Sequence, residues 1–161
     1  MRIGDLCTRE AYYVSSDAPL LEAVREMHRR HVGAVVVVGG GAGGAAAGRP
    51  VGIVTDRDVV RAEMTRHADV FSLTVGEAMT VNPLVLEESC SLAQGINRLR
   101  HRGVRRAPVV DARGKLIGLI SFDDVLPAVA ESLTELAKLI SRQSRLEHDH
   151  HPAGDEHLED R

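Results

Sequence analysis

Tryptophan is absent, and two Tyr and two Phe bring the aromatic fraction to only 2%. The usual stacking platforms for nucleic-acid bases are therefore missing, and a core has to be assembled from Val, Leu, Ile and Ala. Nor is there an excess of one charge. The formal net charge of −3 over 161 residues supplies no field that would draw a polyanion to the surface, so no partnership with nucleic acid is expected. No apolar run approaches the roughly 20 residues that cross a bilayer, and Met1-Arg2-Ile3-Gly4-Asp5 lacks the basic-then-apolar order of a secretory leader. A cytoplasmic protein with no membrane contact is expected. Cysteine is scarce as well: Cys7 and Cys90 belong to no Cys-x-x-Cys unit, which argues against a zinc knuckle or redox dithiol and leaves two buried thiols as the simpler reading. His28, His31, His67 and His101 share no metal-ligand spacing, and no metal site is expected.

What is present is a duplication. Adding 72 to the residue number lays "IGDLCT" (from Ile3) on "VGEAMT" (from Val75) and "LLEAVREMHRRHV" (from Leu20) on "LAQGINRLRHRGV" (from Leu92), with Leu20 on Leu92, Val24 on Ile96 and Met27 on Leu99. After the glycines of "VVVVGGGAGGAAAGRPVGIV" (from Val35), the shift falls to 66 from Val51 onward, so the first half carries six extra residues in its glycine-rich stretch. That stretch lacks the Gly-Lys-Ser/Thr ending of a phosphate-cradling loop. Opposite it stands Asp111-Ala112-Arg113-Gly114, a compact turn between two short apolar runs, and the stretch reads as an enlarged, flexible hairpin connection.

Each half has the same predicted elements. Leu20, Val24 and Met27 recur at helical spacing, as do Leu92, Ile96 and Leu99, with Asp17 and Ser91 offered as N-caps. The runs from Ala34 to Val38, Val51 to Val54, Ala107 to Val110 and Leu116 to Ile120 have the length and β-branched content of strands. A further short strand is expected at Tyr12 to Val14 and at Leu84 to Leu86. A second helix begins after Thr55 and after Ser121; the latter is long, carries an apolar stripe of Leu126, Val129, Leu133, Leu136 and Ile140, and contains Pro127, which would kink it or delay its start. The ending "HDHHPAGDEHLEDR" (from His148) reads as a solvated tail, with weak capture of a divalent cation as the alternative.

This order of strand, helix, strand, strand, helix, performed twice, with "VGEAMTVNP" opening a repeat and "GIVTDRDVV" or "GLISFDDVL" closing its hairpin into a helix, resembles a tandem pair of CBS domains, the Bateman module. The resemblance implies an α/β (α+β) fold of two β-α-β-β-α repeats about a pseudo-twofold axis, here residues 1–66 and 75–142, with a linker at 67–74 and a disordered tail at 143–161. It implies two clefts for an adenosine-containing ligand (AMP, ADP, ATP, NAD or S-adenosylmethionine), no obligatory cofactor, a homodimer, and a regulated partner protein in place of an enzymatic reaction. The alternative is a ligand-independent homodimeric scaffold with the same fold.

The family's ligand signature falls on Gly52-Ile53-Val54-Thr55-Asp56-Arg57-Asp58 and on Gly118-Leu119-Ile120-Ser121-Phe122-Asp123-Asp124. Thr55 and Ser121 would meet phosphate or ribose oxygens at a helix start, and Asp58 and Asp124 would accept ribose hydroxyls. Arg57 and Asp123 stand within the same signature. A hydroxyl followed three residues later by an acid is also an ordinary helix N-terminus resembling a capping box, so capping and binding both remain open. Arg106, opening the strand "RRAPVV", is the expected phosphate partner; its counterpart in the first half is Ala34, and Arg57 either substitutes there or makes a surface ion pair. Val14, Leu86 and the backbone at Val35 and Ala107 would wall an adenine, or simply form core. Asn82 and Pro83 match the family's loop into the first strand, or simply make a turn.

Overall fold

The computed structural model describes residues 1–9, 11–39, 48–66 and 69–149. Residues Met1–Val125 form one compact unit and Leu126–Arg161 a second. The first repeat supplies α1 (Ile3–Leu6), β1 (Thr8–Arg9), β2 (Tyr13–Ser15), α2 (Leu20–Arg30), β3 (Ala34–Val38), β4 (Pro50–Thr55) and α3 (Asp56–Arg66). After a 3-10 turn at Val70–Ser72 come α4 (Val75–Ala78), β5 (Thr80–Val81), β6 (Leu86–Glu87), α5 (Leu92–Arg102), β7 (Arg106–Val110), β8 (Leu116–Ser121) and α6 (Phe122–Asp149). The fold is α+β, and the duplication read from the sequence is its organising element.

The two hairpins are superimposable in register. Val37 pairs with Gly52 and Val38 with Pro50; Val109 pairs with Gly118 and Val110 with Leu116. Each hairpin is thus bulged at the same place. The turn of the second repeat closes on Asp111, whose Oδ1 accepts from the Arg113 and Lys115 amides at 2.9 Å each, while Gly114 takes the positive φ of 78° that a side chain would oppose. In the first repeat Gly39 N–H donates to the Arg49 carbonyl at 3.1 Å. The connection between them, residues 40–47, lies outside the described residues.

The sheets are not partitioned by repeat. Strand order is β2-β3-β4-β5 in one and β1-β8-β7-β6 in the other, so each repeat gives its opening strand to the other's sheet. Thr8 faces Leu119, and Thr80 faces Ile53. The opening helices are exchanged too: Ile3 N–H donates to the Cys90 carbonyl and Val75 N–H to the Ala18 carbonyl, both at 2.9 Å. This exchange accounts for the glycine of each signature. A Cβ at Gly118 would lie 2.6 Å from the Thr8 carbonyl oxygen, and one at Gly52 would run into the Met79 sulfur.

All five residues of β3 are buried, the pattern of a strand covered on both faces. Val35 and Val37 join Leu20, Ala23, Met27 and Val54 in the core of the first repeat. Val36 and Val38 turn the other way, onto Leu116 and Leu119 of β8, which places one sheet against the other.

Several local expectations need correction. Asp17 does not cap α2: Pro19 holds the N-cap position, which puts Asp17 too early to reach the orphan amides, and its Oδ1 accepts from Ser16 Oγ at 3.3 Å instead. Ser91 does cap α5, accepting from the Gln94 amide. Pro127 does not delay α6, which begins at Phe122 and carries it internally. α6 also runs on to Asp149 through the start of the expected tail; the remainder of that tail lies outside the described residues. In the second unit, Leu126, Leu133, Leu136, Leu139 and Ile140 of α6 are exposed. Cys7 is buried, but Cys90 is only half-buried.

Candidate ligand clefts

Among the described residues, two polar side chains are buried, and both stand where a hairpin runs into a helix: Asp58 and Ser121. At the first corner the bonding is reciprocal. Asp58 Oδ2 accepts from the Thr55 amide at 3.0 Å and the Thr55 hydroxyl at 2.7 Å, and the Asp58 amide donates back to Thr55 Oγ1 at 3.2 Å. Asp58 Oδ1 is engaged as well, by Arg61 at 2.8 Å and more loosely by the Thr80 hydroxyl at 3.5 Å. A carboxylate offers about four acceptor positions, and here all are taken. The helix-start reading of this spacing is therefore realised in full.

The second corner is looser. Ser121 Oγ donates to Asp123 Oδ2 at 3.4 Å, and the Asp123 amide returns to Ser121 Oγ at 3.4 Å, both at the long limit of hydrogen bonding. Arg61 has no counterpart, since the 66-residue shift puts Pro127 there. The side chain of Asp124 lies outside those described.

Each corner opens on a cleft shared between the repeats. One, of about 740 Å³, is lined by Thr55, Asp56, Arg57 and Asp58 of the first repeat and by Thr80, Gly103, Val104, Arg105 and Arg106 of the second. The other, of about 490 Å³, joins Ser121, Asp123 and Leu119 to Thr8, Arg9, Tyr12 and the segment from Arg30 to Ala34. The duplication relates their walls, with Thr8 matching Thr80 and His31 matching Gly103. His31 and Gly103 both take positive φ, 54° and 65°, in ending their helices. Arg106 lines both clefts.

The smaller cleft holds the aromatic ring that the larger lacks. Tyr12 lies under the Arg30 guanidinium, 4.9 Å from the ring centroid, and donates to Glu22 Oε1 at 3.4 Å. Burial, reinforced by the Glu22 and Glu26 carboxylates, pushes its phenol above the ordinary tyrosine range, so it stays a neutral donor at physiological pH.

The model of the family described as CBS domain matches residues 3–65 and 75–131. The chain belongs to the CBS-domain family. One relative, an uncharacterized 17.7 kDa protein of Acidianus ambivalens, is 27% identical over 130 residues, 81% of this chain and 74% of its own. Among solved structures, CBSX2 in complex with AMP matches with a TM-score of 0.65 at 24% identity, over 81% of this chain and 97% of that one. The CBS domain pair of protein MJ0100 in complex with 5′-methylthioadenosine and S-adenosyl-L-methionine matches with a TM-score of 0.70 at 18% identity, over 82% and 98%. At these identities the likeness is one of fold.

Of the residues singled out in the two CBS repeats, the structure brings Thr55, Arg57, Asp58 and Arg106 to one cleft and Ser121, Asp123 and Arg106 to the other. Val14 and Val35 have their side chains in the core of the first CBS repeat, and Leu86 and Ala107 are fully buried, so their side chains pack as core. Asn82 is exposed at a positive φ of 50° and Pro83 follows it half-buried; neither lines the two clefts described. Thr8, Tyr12, Arg30, His31 and Thr80 line the clefts without having been singled out. The signal for Thr8 and Thr80 was their identity across the repeats. Among the described residues no cluster of His, Cys, Asp and Glu is placed to hold a metal ion, and no helix is long and apolar enough to cross a membrane.

Proposed function

We propose that this chain is a regulatory module that binds an adenosine-containing ligand between its CBS repeats and relays occupancy to a partner protein as a homodimer. The observation that carries the reading is the pair of duplicated clefts, each joining the hydroxyl-and-acid corner of one repeat to the strand start of the other. Fold relatives solved with AMP, and with 5′-methylthioadenosine and S-adenosyl-L-methionine, lend it support. In this reading Thr55 and Ser121 meet phosphate or ribose oxygens at helix starts, Asp58 and Asp124 accept from ribose hydroxyls, and Arg106 meets phosphate, with Arg57 and Asp123 at the cleft walls. The adenine lies toward the backbone of Val35 and Ala107, over Val14 and Leu86, with Asn82 and Pro83 shaping the approach. A ribose hydroxyl entering the Thr55 cleft replaces Arg61 at Asp58 Oδ1.

Thermal denaturation with AMP, ADP, ATP, NAD or S-adenosylmethionine at millimolar concentration tests this. A ligand at 100 times its dissociation constant adds about 2.7 kcal/mol, and if none of the five moves the transition the proposal fails. A second reading, a ligand-independent homodimeric scaffold, is favoured by the exposed apolar residues of α6, which a second copy would cover, and by the saturation of Asp58. Replacing Asp58 and Asp124 together by Ala abolishes ligand-induced stabilisation under the first reading. Under the second it changes neither ligand response nor sedimentation as a dimer.

A further inference from the structure

One difference between the two clefts concerns the cation at the strand start. At the start of β7 stand Arg105 and Arg106; at the matching place before and in β3 stand Gly33 and Ala34. Arg106 reaches into the space this leaves. A Cβ added at Gly33 would lie 3.5 and 3.6 Å from the two terminal nitrogens of its guanidinium and 3.4 Å from Asp56 Oδ2. One guanidinium thus lines both clefts. It is half-buried, and among the described residues it has no ion-pair or hydrogen-bond partner.

The other cations at the clefts are differently placed. Arg9 donates to the Gly4 carbonyl at 3.2 Å and pairs with Glu88 at 3.8 Å. Arg30 is held by Glu26 at 3.0 Å while covering Tyr12. Arg57 and Arg105 are exposed, where water screens an ion pair to little net value. The uncommitted, partly desolvated cation is Arg106, and a guanidinium that binds a phosphate through two parallel hydrogen bonds is withdrawn from its other neighbour.

We infer that the two clefts compete for Arg106, so that a phosphate-bearing adenosine ligand in one cleft weakens binding of the same ligand in the other, whereas an adenosine ligand without a phosphate fills both independently. The inference rests on the proposed function, and calorimetric titration of the intact chain with two probes separates the fates of the two. 5′-Methylthioadenosine, which has no phosphate, fills both clefts with comparable affinity. AMP fills one and then the other at least about tenfold more weakly, the scale of losing a charged hydrogen bond and equal to about 1.4 kcal/mol. Equal and independent binding of AMP at both clefts overturns the inference and leaves the proposed function standing; binding of neither probe overturns both. Methylthioadenosine confined to one cleft also overturns it, because the inequality then has a source other than phosphate. In R106A, AMP falls to equal weak affinity at the two clefts while methylthioadenosine binding is unchanged. If R106A weakens both probes alike, Arg106 is holding shape only and the inference is wrong.

Discussion

Replacing Asp58 by Ala should destabilise the protein even with no nucleotide present. The carboxylate is 6% exposed and satisfies the Thr55 amide, the Thr55 hydroxyl and Arg61 at 2.7 to 3.0 Å. Loss of a capping interaction costs about 1 kcal/mol, and stranding donors that had paired with a charge adds about 1 to 3 kcal/mol. The sum, reduced for the solvent that reaches Arg61, is about 2 to 4 kcal/mol, or about 5 to 15 °C in Tm for a chain of this size. Urea denaturation followed by circular dichroism, with slope and midpoint fitted together, measures it. A double-mutant cycle with Thr55→Ala should show coupling of at least about 0.5 kcal/mol. A loss below about 0.5 kcal/mol for D58A, with an unchanged slope, would refute the reasoning. The bonds drawn at this corner would then not exist in solution, and Asp58 would be free for another task.

Three further outcomes follow from residues already placed. L20A, at a fully buried core site, should cost about 2 to 5 kcal/mol; the matching L92A, at a half-buried site, should cost less by the same urea assay. Burial pushes the Cys7 thiol above its usual range, so a thiol reagent at neutral pH should label Cys90 first, as mass spectrometry of timed samples would read; faster labelling of Cys7 would contradict the fold of the exchanged segment. The Lys115 amide, and after it the Arg113 amide, hold the Asp111 carboxyl below its usual range. Its contribution is therefore complete above the unfolded value of about 3.9 and is lost as pH falls through the lower folded value. A carbon-13 titration of Asp111 should show that depressed value, and D111N should flatten the acid limb of stability in the same window.

The repeats, their helices and their hairpins were legible because each leaves a local trace. Leu20, Val24 and Met27 share a period with Leu92, Ile96 and Leu99, and the glycine-rich insertion falls between β3 and β4, whose pairing keeps the register of β7 and β8. The exchange of β1 and β5 left no such trace: two residues are too few for a periodicity, and their partners lie in the other repeat. The signature glycines Gly52 and Gly118 pointed to that exchange only in retrospect, since they look like part of a ligand motif and are crowded by the exchanged segments, Gly52 by the Met79 side chain and Gly118 by the Thr8 backbone. The candidate site was legible at Thr55, Asp58 and Ser121 because hydroxyl and acid recur in register. The partner role of Arg61 was not, because it has no counterpart in the second repeat. Nor was the reach of Arg106 into both clefts, which depends on the smallness of Gly33 and Ala34 across the pseudo-twofold axis.

The exchanged opening strands also set an order of assembly. As the chain is synthesised, β5 follows soon after the hairpin it completes, so the sheet built on β3 and β4 can close early. Thr8 and Arg9 must wait for Leu119 and Gly118, made only when the second repeat is nearly finished. Until then the segment from Met1 to Arg9 has no sheet to join, and the second sheet, once formed, presents the free edge of β8. The first-made strand therefore finds its partner only after β8 exists, and a chain truncated before β8 would leave that segment without its sheet and expose the edge of β7 to pairing with other molecules.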